Sequence, residues 1–170
     1  MDAKLEAVKG AGRPLPGAQS DYDPLMELVG DATFVLLGEA THGTHEFYRA
    51  RADITKRLVQ EKGSNVIAWE ADWPDATRMS RFVGEGRDVD VHAALADFER
   101  FPVWMWRNQE IADLCGWLRD YNSSGKKGGT QVRIFGLDLY SLHRSIEAVL
   151  HYLEGFDAKP QGMPAVGMKL

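Results

Sequence analysis

Two carboxylates and two histidines fall within the eight positions from Glu39 to Glu46, in the stretch Gly38-Glu39-Ala40-Thr41-His42-Gly43-Thr44-His45-Glu46-Phe47. These residue types suit proton transfer. An imidazole titrates near neutral pH and can act as a general base on water. A neighbouring carboxylate fixes its tautomer and favours the ring once it has taken up a proton. His42 is the candidate base, and Glu39 or Glu70 is the candidate carboxylate beside it. Glu39 directly follows an apolar run and Gly38, which favours a site role over one in satisfying loop amides. His45 and Glu46 occupy a first helical turn, where a solvent-facing imidazole and a carboxylate complementing the helix dipole are common. His45 is retained as a substrate-binding candidate. Arg51 lies nine residues beyond His42, so spacing alone leaves it open between a surface arginine and a group that reaches back to a carboxylate or an oxyanion.

Competing chemistries fit less well. Glu39, His42 and His45 are spaced three apart and Glu70 would complete a metal set, but there is no HExxH motif and the chain has a single cysteine. Phosphate loops of the GxGxxG or GxxxxGK[ST] type are missing, and acidic side chains would repel a phosphate. No GxSxG elbow provides a nucleophilic serine. On spacing alone a metal stays the lesser reading, and no cofactor is expected.

Such residues need elements to position them. Residues 33–37 form a continuous apolar run and read as a strand buried on both faces, of the parallel-sheet type. Helical spacing follows over 44–62, closed by Gly63. A second buried strand is expected over 65–70, and a third over 131–136. Between them, helices are expected over 76–83, 91–98 and 108–121, and a last one over 142–153. A short helix begins near Asp23-Pro24 and ends by Gly30. Residues 1–20 read as a flexible arm, residues 84–90 and 122–129 as loops, and residues 155–170 as an irregular tail.

The order is strand, helix, strand, helices, strand, helix, which is α/β with a partial parallel sheet and flanking helices. Ligands of open α/β sheets bind outside the carboxyl ends of the strands. Those ends carry Glu39 and His42, then Glu70, then Asp138 and Tyr140. Their convergence on one rim is the main argument for an active site. Phe98, Phe101, Trp104 and Trp106 make an aromatic-dense connection, and Trp69 and Trp73 flank Glu70. Most such residues are core, but they also suit an apolar pocket for a bulky ligand. Trp106, Asp138, Tyr140 and His45 are therefore the substrate-binding candidates.

The bulk properties agree with a small-molecule enzyme. The 170 residues are 44% hydrophobic, enough for one domain with a normal core. A formal charge of -5 argues against a nucleic-acid or anionic-membrane partner. Neither a secretion signal nor a membrane span is evident, so a cytoplasmic location is expected. Cys115 follows a helical apolar pattern and reads as a packed thiol. His143 and His151 sit on the last helix and read as structural or surface residues.

The segments "LLGEATHGTHEFYRARADITKRL", "VIAWEADWP", "FPVWMWRNQEIADLCGWLRDYN" and "RIFGLDLYS" resemble, in order, the amino-terminal part of the erythromycin esterase family. The resemblance covers roughly residues 20–154. It implies metal-independent opening of a macrolide or other bulky lactone or ester by a water that a histidine activates, assisted by glutamates and an arginine. Carried over by position, His42 is the base, Glu39 and Glu70 are the glutamates and Arg51 is the arginine. Family enzymes are considerably longer and place a further active-site histidine in their carboxyl-terminal half. The resemblance thus implies a region truncated from a larger domain. Its alternative reading is a catalytically incompetent binding remnant of such an enzyme.

Overall fold

The computed structural model describes residues 2–85, 90–125, 130–138 and 140–157. The helix expected from the 44–62 spacing is α3 (His45–Lys62), numbered after α1 (Ala3–Ala11) and α2 (Asp23–Val29). Thr44 is its N-cap, and Gly63 ends it with φ 71°, a left-handed conformation that glycine adopts without a Cβ penalty. Tyr48, Ala52, Leu58 and Val59 form its buried stripe. β1 (Val66–Asp72) follows and runs directly into α4 (Trp73–Glu85). A short α5 (Val91–Leu95), α6 (Gln109–Ser123), β2 (Arg133–Asp138) and α7 (Leu142–Asp157) complete the order.

β1 and β2 pair in parallel, so a crossover must connect them, and α4 to α6 supply it. Met79 and Val83 of α4, Cys115 and Leu118 of α6, and Val132 and Ile134 at β2 are almost fully buried against one another. Burial pushes the Cys115 thiol up to about 12, so it stays protonated and unreactive, as expected of a packed thiol. Asn122 fastens this core at three backbone groups. Its amide donates to Val83 O (2.8 Å) and Val132 O (3.0 Å), and its carbonyl accepts from Val132 N (2.9 Å).

The ladder pairs Val66 with Arg133 and continues to Trp69 with Gly136. Beyond that the register is irregular until Asp72 meets Asp138. Gly136 permits the break. A Cβ there would lie 2.5 Å from Ala71 O and 2.8 Å from Asp72 O, contacts that no side chain tolerates. The two strand ends can therefore close on one another, which brings the two aspartates together.

Several expected elements differ. Residues 34–39 have no regular secondary structure and join no ladder among the described residues. Phe34 is 84% exposed and Leu36 91%, so this run is not a strand buried on both faces. An apolar run becomes a strand only when it pairs with a neighbour's edge, and in the two-stranded sheet neither β1 nor β2 pairs its outer edge with this segment. Their own burial is also one-sided: Trp69 and Ile134 face the core, while Val66, Phe135 and Leu137 are exposed. Asp23 is the first residue of α2 and not its cap; its carboxylate instead accepts from Arg57 at 2.7 Å. The arm contains the fully exposed α1. α7 continues to Asp157, past the expected start of the irregular tail at 155, and residues 158–170 lie outside the described residues.

Candidate active site

His42 stands in a turn just before α3. Its Nδ1 lies 3.2 Å from Glu39 Oε2. The same oxygen accepts from Arg51 Nη1 at 2.7 Å, and Arg51 projects from the second turn of α3. The Glu39 side chain is only 11% exposed, and its other oxygen, Oε1, is buried with no protein partner. A buried carboxylate oxygen of this kind favours any donor that reaches it. Sequence spacing explains the triad: Glu39 and His42 are three apart in one turn, and the helix that begins at His45 returns Arg51 to them.

His42 opens onto a cleft of about 130 Å³ at the carboxyl end of the sheet. Glu70, Asp72 and Asp138 come to it from β1 and β2, Asp75 from the first turn of α4, and Phe98, Arg100, Phe101 and Trp106 from the aromatic connection. Trp106 stacks on Trp69 with centroids 4.8 Å apart, which ties the cleft wall to the core. Trp104 instead packs edge-on against Phe101, away from the lining.

The expected residues therefore divide. His42, Glu70, Trp106 and Asp138 share the cleft lining. Glu39 and Arg51 stand behind His42. His45 turns to Glu110, with Nδ1 2.6 Å from Oε1. Tyr140 is 79% exposed, and Arg100 lies over its ring at 4.2 Å. His143 is exposed, and so is His151, which lies 3.9 Å from Glu154. Among the described residues, no three His, Cys, Asp or Glu side chains converge as a metal ion would require.

Sequence reasoning missed Arg100, Asp72 and Asp75 as site residues. Arg100 Nη1 donates to Asp72 Oδ1 at 3.4 Å and to Asp138 Oδ2 at 3.3 Å. Asp75 is 2% exposed and pairs with Arg144 of α7 at 3.0 Å. Burial pushes its carboxyl up to about 6; Arg144 pulls it back, and Asp72, Asp97 and Glu99 add to the rise. The available signal was a lone arginine inside an aromatic run, followed 38 residues later by a strand-end aspartate.

Residues 59–167 match the erythromycin esterase family model. That match begins at Val59, so Glu39, His42 and Arg51 precede it. The chain is similar to erythromycin esterase type II of Escherichia coli, 25% identical over 120 residues, which are 70% of this chain and 26% of that protein. It also resembles a solved Bacillus cereus protein, with a TM-score of 0.65 and 32% identity over 82% of this chain and 32% of that one. A second solved structure, a succinoglycan biosynthesis protein, aligns with a TM-score of 0.59 and 25% identity over 85% of this chain and 35% of that one. The chain thus spans about a quarter to a third of the length of the relatives it matches. Because the family model covers well over half of the residues, the chain belongs to the erythromycin esterase family.

Proposed function

We propose that the cleft is the water-activating part of a metal-independent ester or lactone hydrolase site, with a macrolide or another bulky lactone as the substrate class. One observation carries this reading: the contact of His42 Nδ1 with a carboxylate that Arg51 itself holds, at the mouth of a cleft that Glu70 shares. Engaging Nδ1 with Glu39 leaves Nε2 to take a proton from water. The hydroxide so formed attacks the carbonyl carbon, and the carbonyl electrons move onto its oxygen. Collapse of that intermediate breaks the C–O bond, and the departing alkoxide recovers the proton from His42. Glu70 orients the water.

The developing negative charge needs a positive group, and such electrostatic stabilisation is usually the largest catalytic contribution. Arg51 carries that role in the family reading, but here it is committed to Glu39 and does not line the cleft. Arg100 does line it, and we assign it the charge-stabilising role. The rings of Phe98, Phe101 and Trp106 suit an apolar substrate body. Family membership supports hydrolysis as the reaction class.

The experiment is a screen of macrolides, simple lactones and aryl esters by mass spectrometry. The expected result is a product heavier by one water for at least one lactone or ester, formed by the wild type and not by His42→Ala. Binding of the same compounds without any product would favour the binding-remnant reading.

A further inference from the structure

Tyr48 is one of the most buried residues of α3, at 4% exposure, and its ring belongs to the hydrophobic core. A buried tyrosine hydroxyl needs a polar partner. Here that hydroxyl donates to the backbone carbonyl of His42 at 2.9 Å, across the turn that carries the candidate base. The opposite side of the ring environment is equally specific. The guanidinium of Arg51 lies over the Tyr48 ring, 4.7 Å from its centroid, and donates to Glu39, which meets the His42 imidazole. Tyr48 is three residues before Arg51, on the same face of α3.

These contacts close a ring. The main chain of His42 is tied to the Tyr48 hydroxyl, and its imidazole is tied through Glu39 and Arg51 to the Tyr48 ring. One helical face therefore references both ends of the base. Within the turn, the bond from Gly43 N to Thr41 Oγ1 is a long 3.4 Å, so among the described residues the Tyr48 hydroxyl is the shorter anchor of its main chain. Burial raises the Tyr48 hydroxyl above its ordinary range, with the Glu39 charge adding to the effect, so the hydroxyl remains a donor throughout the working pH range. A ring that served only to fill the core would be as well supplied by phenylalanine.

We propose that Tyr48 is a positioning residue for His42, using its hydroxyl to set the main chain of the base and its ring to seat the arginine that holds the orienting carboxylate. The inference rests on His42 being the base, but part of its test does not require turnover.

Tyr48→Phe keeps the core ring and the surface under Arg51 and removes only the bond to His42. Glu39→Gln serves as the positive control, because it weakens the contact with the imidazole directly. The ring nitrogens of His42 are read by ¹⁵N NMR at alkaline pH, where an imidazole is neutral and its two tautomers are distinguishable. His45, which contacts Glu110, is the internal reference. The expected result for Tyr48→Phe is a cooperative melt like that of the wild type, a shift of the His42 ring nitrogens toward those of the mixed tautomers, and unmoved His45 signals. Where the wild type turns over a lactone, kcat is expected to fall about tenfold with KM changed less than about twofold, the scale of one lost hydrogen bond. Absence of turnover in the wild type would sink the hydrolase reading and leave the tautomer result to decide this one. Unchanged His42 nitrogens in Tyr48→Phe, alongside a clear shift in Glu39→Gln, would overturn the proposal. A lowered melt with unchanged nitrogens would overturn it too, and would leave Tyr48 a structural residue.

Discussion

Two arginines meet carboxylates at the candidate site, and they do so differently. Arg51 is 23% exposed and gives a 2.7 Å bond to one buried carboxylate, Glu39. Arg100 is 48% exposed and is shared between Asp72 and Asp138 at 3.4 and 3.3 Å. The first arrangement is short, nearly dry and built from residues twelve apart in sequence, and it is suited to hold a side chain still. The second is long, assembled from three separate segments, and places a half-exposed guanidinium beside two mostly buried carboxylates, so each single contact is weak enough to yield to an incoming group. On the proposed function, the same pair of side-chain types is used once to fix the base and once to face the substrate.

The most severe way to break this contrast is to remove the fixed carboxylate. Glu39→Gln leaves Arg51 without its anionic partner and frees the imidazole to take the wrong tautomer, so kcat for ester or lactone hydrolysis is expected to fall about 10²–10³-fold. Steady-state kinetics beside a thermal melt would check this. A loss of activity that merely follows a loss of folded protein would argue against an orienting role.

Exchanging each arginine sharpens the comparison. Arg51→Met is expected to lower kcat about 100-fold and also to lower the melting temperature, because Glu39 is then buried without a counter-charge. Arg100→Met is expected to lower kcat/KM about tenfold and to lower the melting temperature less than Arg51→Met does: it also leaves a buried carboxylate, Asp72, but the bridges lost are longer and the guanidinium is half-exposed. Equal effects from the two substitutions would mean that the difference in geometry has no functional content.

An effect on stability and not on rate is expected at Asp75, which shares the cleft lining with His42 and Arg100 and ties α7 through Arg144. Its folded-state carboxyl sits at about 6, above the ordinary range of an aspartate. Between roughly pH 4 and pH 6 the folded chain therefore binds more protons than the unfolded chain, and this group's contribution to stability falls as pH rises through that window. Relative to Asp75→Asn, the wild type should gain up to ~3 kcal/mol as pH is lowered from 7 toward 4. Melting curves of both proteins across that range would show the gap changing, whereas parallel curves would contradict it.

The difference between the two clusters also explains what the sequence made legible. Glu39 and His42 were readable together because one turn connects them, whereas spacing alone left Arg51 open and the family resemblance singled it out. The helical spacing over 44–62 is strong, and the observed helix differs from it by one residue at its start. Arg100 lies in a connection without periodicity, and its partners stand 28 and 38 residues away. Nothing local marks that distance. The meeting of Asp72 with Asp138 further depends on a register break at Gly136, which no pattern of apolar residues encodes. The run from 33 to 37 failed for a related reason. Val35, Leu37 and Glu39 are half-buried between exposed neighbours, so burial alternates with a period of two. Apolar content reports that a segment is extended, but not that a neighbour is there to pair with it. The α/β class survived this error because α3, α4, α6 and the two parallel strands suffice to define it.

The proposed hydrolysis stands or falls on His42 moving the proton that activates water. The most direct measurement is kcat/KM of the wild type and of His42→Ala on one lactone, with folding of both verified by melting. The account predicts turnover by the wild type and a loss of about 10²–10⁴-fold in the variant, the contribution typical of a general base. Equal rates for the two folded proteins would contradict it, as would a folded wild type that leaves every lactone and ester intact.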